Sequence, residues 1–126
     1  MPRLLLVEDE PAIADTLVYA LGTECFEVTH ALTGADALAA AEREKFDFAI
    51  LDIGLPDMTG YDVAKRMRLI PSMQKTLLVA LTGWGTQDDR QRTRDAGFDR
   101  HLTKPAELPA VEELLRTAEQ AKRAAA

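Results

Sequence analysis

The chain has 126 residues, 47% hydrophobic and 29% charged, and a formal net charge of −6 at pH 7. That length suits one compact domain with its own core and leaves no room for a second. The acidity and the lack of a Lys/Arg cluster argue against a nucleic-acid surface, while a single cysteine, Cys25, excludes an internal disulfide and suits a reducing compartment.

At the start, Leu4 to Val7 is too short an apolar run for a signal peptide and is cut off by Glu8-Asp9-Glu10. No other segment approaches the roughly 20 apolar residues of a membrane span, so a cytoplasmic protein without membrane contact is expected. The same run predicts a first buried strand with Glu8 and Asp9 at its tip. Pro11 then opens a helix whose Ile13, Leu17 and Leu21 recur at fourfold spacing and which Gly22 should end. Cys25, just beyond, reads as a small packing residue.

Phe26 to Ala31 is rich in Val and Thr and carries Glu27 and His30, which suits an edge strand. Thr33-Gly34 is a turn, and Ala35 to about Lys45 is a weakly apolar helix. Phe48-Ala49-Ile50-Leu51 runs straight into Asp52 and then into a loop closed by Pro56 and Gly60, the pattern of a buried parallel strand delivering a carboxylate to its carboxyl-terminal tip. Gly60 to Ile70 is a helix closed by Pro71.

Thr76 to Leu81 is the strongest strand in the sequence and leads into Thr82, Gly83 and Trp84. Thr86 to Ala96 offers no apolar stripe beyond one alanine, so this fourth helix should bury little and be the least stable element. Gly97 to Thr103 is a fifth strand ending in Lys104-Pro105. Glu107 to about Arg123 is a last helix with Leu108, Val111, Leu115 and Ala118 on one face. Strands alternating with helices at this spacing predict a parallel sheet covered on both faces.

The tips therefore gather Glu8, Asp9, Asp52, Thr82 and Lys104. Three carboxylates at one edge repel by roughly 4 kcal/mol per pair at 4 Å and an effective dielectric near 20, so they need a divalent cation or protonation. Oxygen ligands favour Mg²⁺ over zinc. The ion would take Asp9, Asp52, the backbone carbonyl of Gly54 and waters, with Glu8 held through one of them. Thr82, the N–H of Gly83 and Lys104 can bind a tetrahedral anion beside it. Asp52, central in the sheet, can then act as nucleophile and form an acyl phosphate.

Glu8-Asp9, the Asp52 loop Leu-Pro-Asp-Met-Thr-Gly, Thr82-Gly83 and Lys104-Pro105 resemble the receiver domain of two-component response regulators over essentially the whole chain. The resemblance implies a flavodoxin-like (βα)5 three-layer sandwich with strand order 2-1-3-4-5. It implies a single receiver domain over 1–126 with no output domain, and Mg²⁺-dependent phosphorylation of Asp52 by a sensor histidine kinase or histidine phosphotransfer protein. It further implies a cis bond before Pro105 and a change in binding of an unknown output partner through the fourth helix, fifth strand and last helix. Such a domain is no turnover enzyme and catalyses only its own phosphorylation and slow dephosphorylation.

Several positions depart from the family pattern, Ala106 among them, where a bulky apolar side chain is frequent. The residue three before the lysine, often an aromatic that turns inward with the threonine, is His101, which can act as the switch and add pH sensitivity or sit as a surface histidine. Gly54 and Trp84 border the path of the hydrolytic water in the family and are read as tuning phosphoryl lifetime. Two rival functions are weighed against this one, the first of them on the same fold. A phosphorylation-independent interaction module keeps the parts without their use. A Mg²⁺-dependent aspartyl-phosphate phosphatase would need an acid at position 54, where this chain has glycine.

Overall fold

Five short apolar runs build the sheet, and their alternation decides which helix covers which face. The computed structural model describes residues 2–82, 87–103 and 108–125, and side chains other than those of 87–90, 108, 118–119 and 121–125. The strands are β1 (Arg3–Val7), β2 (Glu27–Ala31), β3 (Phe48–Asp52), β4 (Leu77–Thr82) and β5 (Arg100–Thr103). The helices are α1 (Pro11–Thr23), α2 (Gly34–Arg43), α3 (Gly60–Met67), α4 (Gln87–Ala96) and α5 (Leu108–Ala125), with a short 3-10 turn at Pro71–Met73. All strand pairs are parallel and the order is β2-β1-β3-β4-β5, as the resemblance implied.

Side chains alternate across a strand, so the odd and even positions of each run feed different layers. Leu4, Leu6, Phe48, Ile50, Val79 and Leu81 meet Leu17 and Leu21 of α1 and Val111 and Leu115 of α5. Leu5, Val7, Ala49, Leu51, Leu78 and Ala80 face the opposite way, onto the alanines of α2, Val63, Ala64 and Met67 of α3, and Ala96. β3 is buried along its whole length, whereas β2 and β5 are the edges and carry the exposed residues.

Helix ends depart from the sequence expectation in an instructive way. Gly22 does not end α1; the helix runs to Thr23, and Cys25, exposed rather than packed, takes the left-handed conformation at φ 67°. Its N–H donates to the Gly22 carbonyl and the Phe26 N–H to the Leu21 carbonyl, the paired bonds of a Schellman cap with cysteine where glycine is usual. The same cap recurs after α4, where Gly97 at φ 105° donates to Arg94 and Phe98 to Thr93. Those residues belong to the cap, so β5 starts at Arg100 and not at Gly97. The fourth helix also buries more than its lack of large apolar residues suggests, because Thr93 and Ala96 are small enough to lie against the sheet. Across it, the Arg92 guanidinium lies 4.5 Å from the centre of the Tyr61 ring of α3.

Arg68, just past α3, ties these ends together. Its Nε and Nη2 donate to the Gly97 carbonyl at 3.0 and 2.7 Å, and Nη2 also reaches Asp99 Oδ2 at 2.7 Å. Nη1 reaches the carbonyls of Met73, Gln74 and Thr76 at 3.1, 3.2 and 2.8 Å. One side chain thus serves the end of α3, the 3-10 turn, the α4 cap and the entry to β5.

Candidate functional site

The register of the sheet brings the predicted acids level with one another. Val7 pairs with Leu51, so Glu8 and Asp52 each lie one residue beyond that pair, and Asp52 itself pairs with Leu81, one residue before Thr82. Carboxylate oxygens of Glu8, Asp9 and Asp52 all lie within 4.8 Å of one another, Glu8 and Asp52 buried and Asp9 exposed. Like charges at that separation cost of order 1–4 kcal/mol per pair between bulk-water and protein-surface dielectrics, so the cluster favours a cation. The donor set is oxygen only, open to solvent through Asp9 and anchored inside by Glu8. It fits a hard divalent ion.

The strand tip is held by backbone contacts that leave little freedom. Glu8 donates its N–H to the Ala31 carbonyl at 3.2 Å, and its Oε1 accepts from the Glu10 N–H at 3.3 Å. Asp52 Oδ1 accepts from the Gly54 N–H at 3.1 Å. The chain then folds back, and the Gly60 N–H donates to the Ile53 carbonyl at 2.9 Å. A Cβ on Gly60 would lie 2.6 Å from the Asp52 carbonyl oxygen and 2.8 Å from Ile53 Cα, both backbone atoms, so glycine is required for this return. Gly54, by contrast, is open: a Cβ there meets only Asp52 Oδ1, at 3.9 Å. Any side chain at position 54 therefore starts beside the Asp52 carboxylate.

The loop between β3 and α3 is fastened to α2 by a residue not singled out from the sequence. Asp57 Oδ1 and Oδ2 accept from the Gly34 and Ala35 N–H groups at 2.8 and 2.9 Å, while the Thr33 hydroxyl caps the same helix by accepting from the Asp36 N–H at 3.1 Å. The amides of Gly34 and then Ala35 hold the Asp57 carboxyl below its ordinary value of 3.8. Helix N-termini attract carboxylates, but nothing in the sequence signals a pairing across 23 positions.

Thr82 is buried at the tip of β4, and its Oγ1 lies 2.6 Å from His101 Nε2 on the neighbouring strand. Ala80 pairs with His101 and Thr82 with Thr103, so the ring reaches along β5 toward the tip. His101 is half-buried and turned toward Thr82, not a freely exposed edge histidine. Gly83, Trp84, Lys104, Pro105 and Ala106, named from the sequence, lie outside the described residues. No described helix is long and apolar enough to cross a membrane.

The sequence matches the family model of the response regulator receiver domain over residues 4–116. It is 36% identical over 103 residues to the cell cycle response regulator CtrA of Brucella ovis, covering 82% of this chain and 44% of that protein, so it spans less than half the length of this relative. It is 34% identical over 104 residues to an uncharacterised 14.6 kDa protein of Leptolyngbya boryana, covering 82% of this chain and 79% of the other. Among solved structures, chemotaxis protein CheY4 of Vibrio cholerae superposes with a TM-score of 0.89 at 28% identity, over 93% of this chain and 98% of that one. The receiver domain of sensor histidine kinase PA1611 from Pseudomonas aeruginosa, solved with a magnesium ion in its active site cleft, superposes with a TM-score of 0.85 at 28% identity, over 92% and 95% of the two chains.

Proposed function

The chain belongs to the response regulator receiver family, whose function is phosphorylation-dependent two-component signalling, and on that premise we propose that Asp52 is its phosphoacceptor. The observation that carries this reading is the convergence of Glu8, Asp9 and Asp52 within 4.8 Å, with Asp52 buried at the central tip. A carboxylate oxygen of Asp52 attacks the phosphorus of a phosphohistidine on a sensor kinase or phosphotransfer protein. The new O–P bond forms as the P–N bond breaks, and the departing imidazole nitrogen keeps the electron pair.

Asp9, Asp52 and the Gly54 carbonyl would hold Mg²⁺ directly and Glu8 would hold it through water. When bound, the ion offsets the carboxylate charge and polarises phosphoryl oxygens. In this proposal Thr82, the Gly83 N–H and Lys104 bind the transferred group, and Gly54 with Trp84 sets how long the acyl phosphate lasts. The contact of His101 with Thr82 supports its assignment as the switch residue: a hydroxyl drawn toward the phosphoryl group changes the ring's partner and so the α4–β5–α5 face.

In this reading the chain is a receiver domain acting in the cytoplasm. It performs its own phosphorylation and slow dephosphorylation, and signals to a protein partner without touching nucleic acid. Mg²⁺ titration by calorimetry tests the carrying observation. The intact chain should bind one ion, and Asp9→Asn should weaken binding about tenfold or more. Equal affinity in the variant would contradict the assignment.

A further inference from the structure

Each of the chain's two histidines stands on an edge strand and reaches two residues along its inner neighbour. His101 pairs with Ala80 and contacts Thr82, a contact the proposed function already uses. His30, exposed at the rim of the sheet, pairs with Leu6, and its Nε2 lies 2.8 Å from the Glu8 carbonyl oxygen. A carbonyl oxygen only accepts, so Nε2 carries the hydrogen and donates it. The β1–β2 register ends at Val7 and Ala31, beyond which the chain turns away and Thr33 caps α2. The imidazole therefore carries the hydrogen bonding of this edge past the point where its backbone leaves the sheet.

The peptide it holds is the one that joins the two neighbouring acids, Glu8 and Asp9. A peptide unit is planar, so fixing its oxygen fixes the direction in which Asp9 leaves the strand. Two further bonds close in on either side: the Glu8 N–H donates to the Ala31 carbonyl at 3.2 Å, and the Glu10 N–H to Glu8 Oε1 at 3.3 Å. We propose that His30 is a positioning residue for the divalent-cation site, its Nε2–H clamping the Glu8–Asp9 peptide so that both carboxylates turn toward Asp52. Burial already holds Glu8 and Asp52, whereas Asp9 is exposed and depends on the backbone that presents it. The role is separable from charge, because deleting a basic ring beside three carboxylates would by Coulomb attraction alone favour a cation. The inference rests on the Mg²⁺ site of the proposed function and adds a residue that binds no ion itself.

Calorimetric Mg²⁺ titration and imidazole ¹⁵N spectra of the full chain test this. His30→Ala should weaken Mg²⁺ binding about tenfold, the low end of what a hydrogen-bond partner behind a metal ligand contributes. His30→Gln, whose amide nitrogen can take the place of Nε2, should recover most of that affinity. His30→Asn, whose nitrogen sits nearer the backbone, should not. Val28→Ala loosens β2 against the core without touching the tip, so it should lower the urea midpoint and leave Mg²⁺ affinity at the parent's value. The His30 ring, assigned by its absence from the His30→Gln spectrum, should carry hydrogen on Nε2. Parent affinity in His30→Ala, equal losses in the Gln and Asn variants, as large a loss in Val28→Ala, or an Nε2 without hydrogen would each overturn the clamp and leave the metal site standing. A parent that binds no Mg²⁺ would overturn the proposed function and the role of His30 with it.

Discussion

Replacing Arg68 by alanine removes more hydrogen bonds than any other single truncation described above, six of them to five acceptors. A guanidinium has five N–H groups, so the three contacts of Nη1 share two hydrogens and are not independent. Bonds to a charged donor are worth about 1.5–3 kcal/mol each in mutational series. The carbonyls of Gln74 and Gly97 regain water when the side chain leaves, so the sum must be cut to about two effective bonds. Because every one of these contacts is part-buried or exposed, the low end of that range applies and the expected loss is about 3–4 kcal/mol, a large share of the 5–15 kcal/mol that holds a domain of this size. Urea unfolding followed by circular dichroism measures it, and the melting temperature should fall by roughly 10–15 °C. Arg68→Lys keeps the charge but not the fork and should lose about half as much. A loss below about 1 kcal/mol for alanine, or a lysine variant as stable as the parent, would refute the idea that one side chain holds these helix ends.

Cys25 and Asp57 carry two further predictions. Cys25→Gly should raise stability by about 1 kcal/mol, because glycine adopts the left-handed cap conformation at φ 67° without the Cβ penalty; an unchanged or lower urea midpoint would count against the cap. Asp57 has its folded value held below 3.8, so its stabilising contribution is complete above the unfolded value and is lost as pH falls through the lowered folded one. Between pH 5 and 2 the parent should therefore lose more stability than Asp57→Asn does, a difference read from urea midpoints across that range. Parallel curves would show that the two α2 amides do not bind the ionised form preferentially.

The order of elements was legible because each strand is a short apolar run ending in a polar tip, and Glu8, Asp9, Asp52 and Thr82 could be placed from that alone. Boundaries were less legible where small residues carry the packing. Thr93 and Ala96 form the buried side of α4 without looking apolar, and Gly22, which resembles a helix stop, stays inside α1 while cysteine takes the cap. Arg68 and Asp57 were missed for a different reason. Each looks like an ordinary surface charge until folding brings carbonyls or amides from distant segments to it. The inward turn of His101 belongs to the same class, since only the register between β4 and β5 brings the ring to Thr82.

Whether Asp52 accepts a phosphoryl group is best settled by intact mass after incubation with acetyl phosphate, with and without Mg²⁺, for the parent and for Asp52→Ala. The proposed function predicts a gain of one phosphoryl group that needs Mg²⁺ and is absent from the variant. A parent that binds Mg²⁺ yet gains nothing, or a variant that gains as much as the parent, would contradict it.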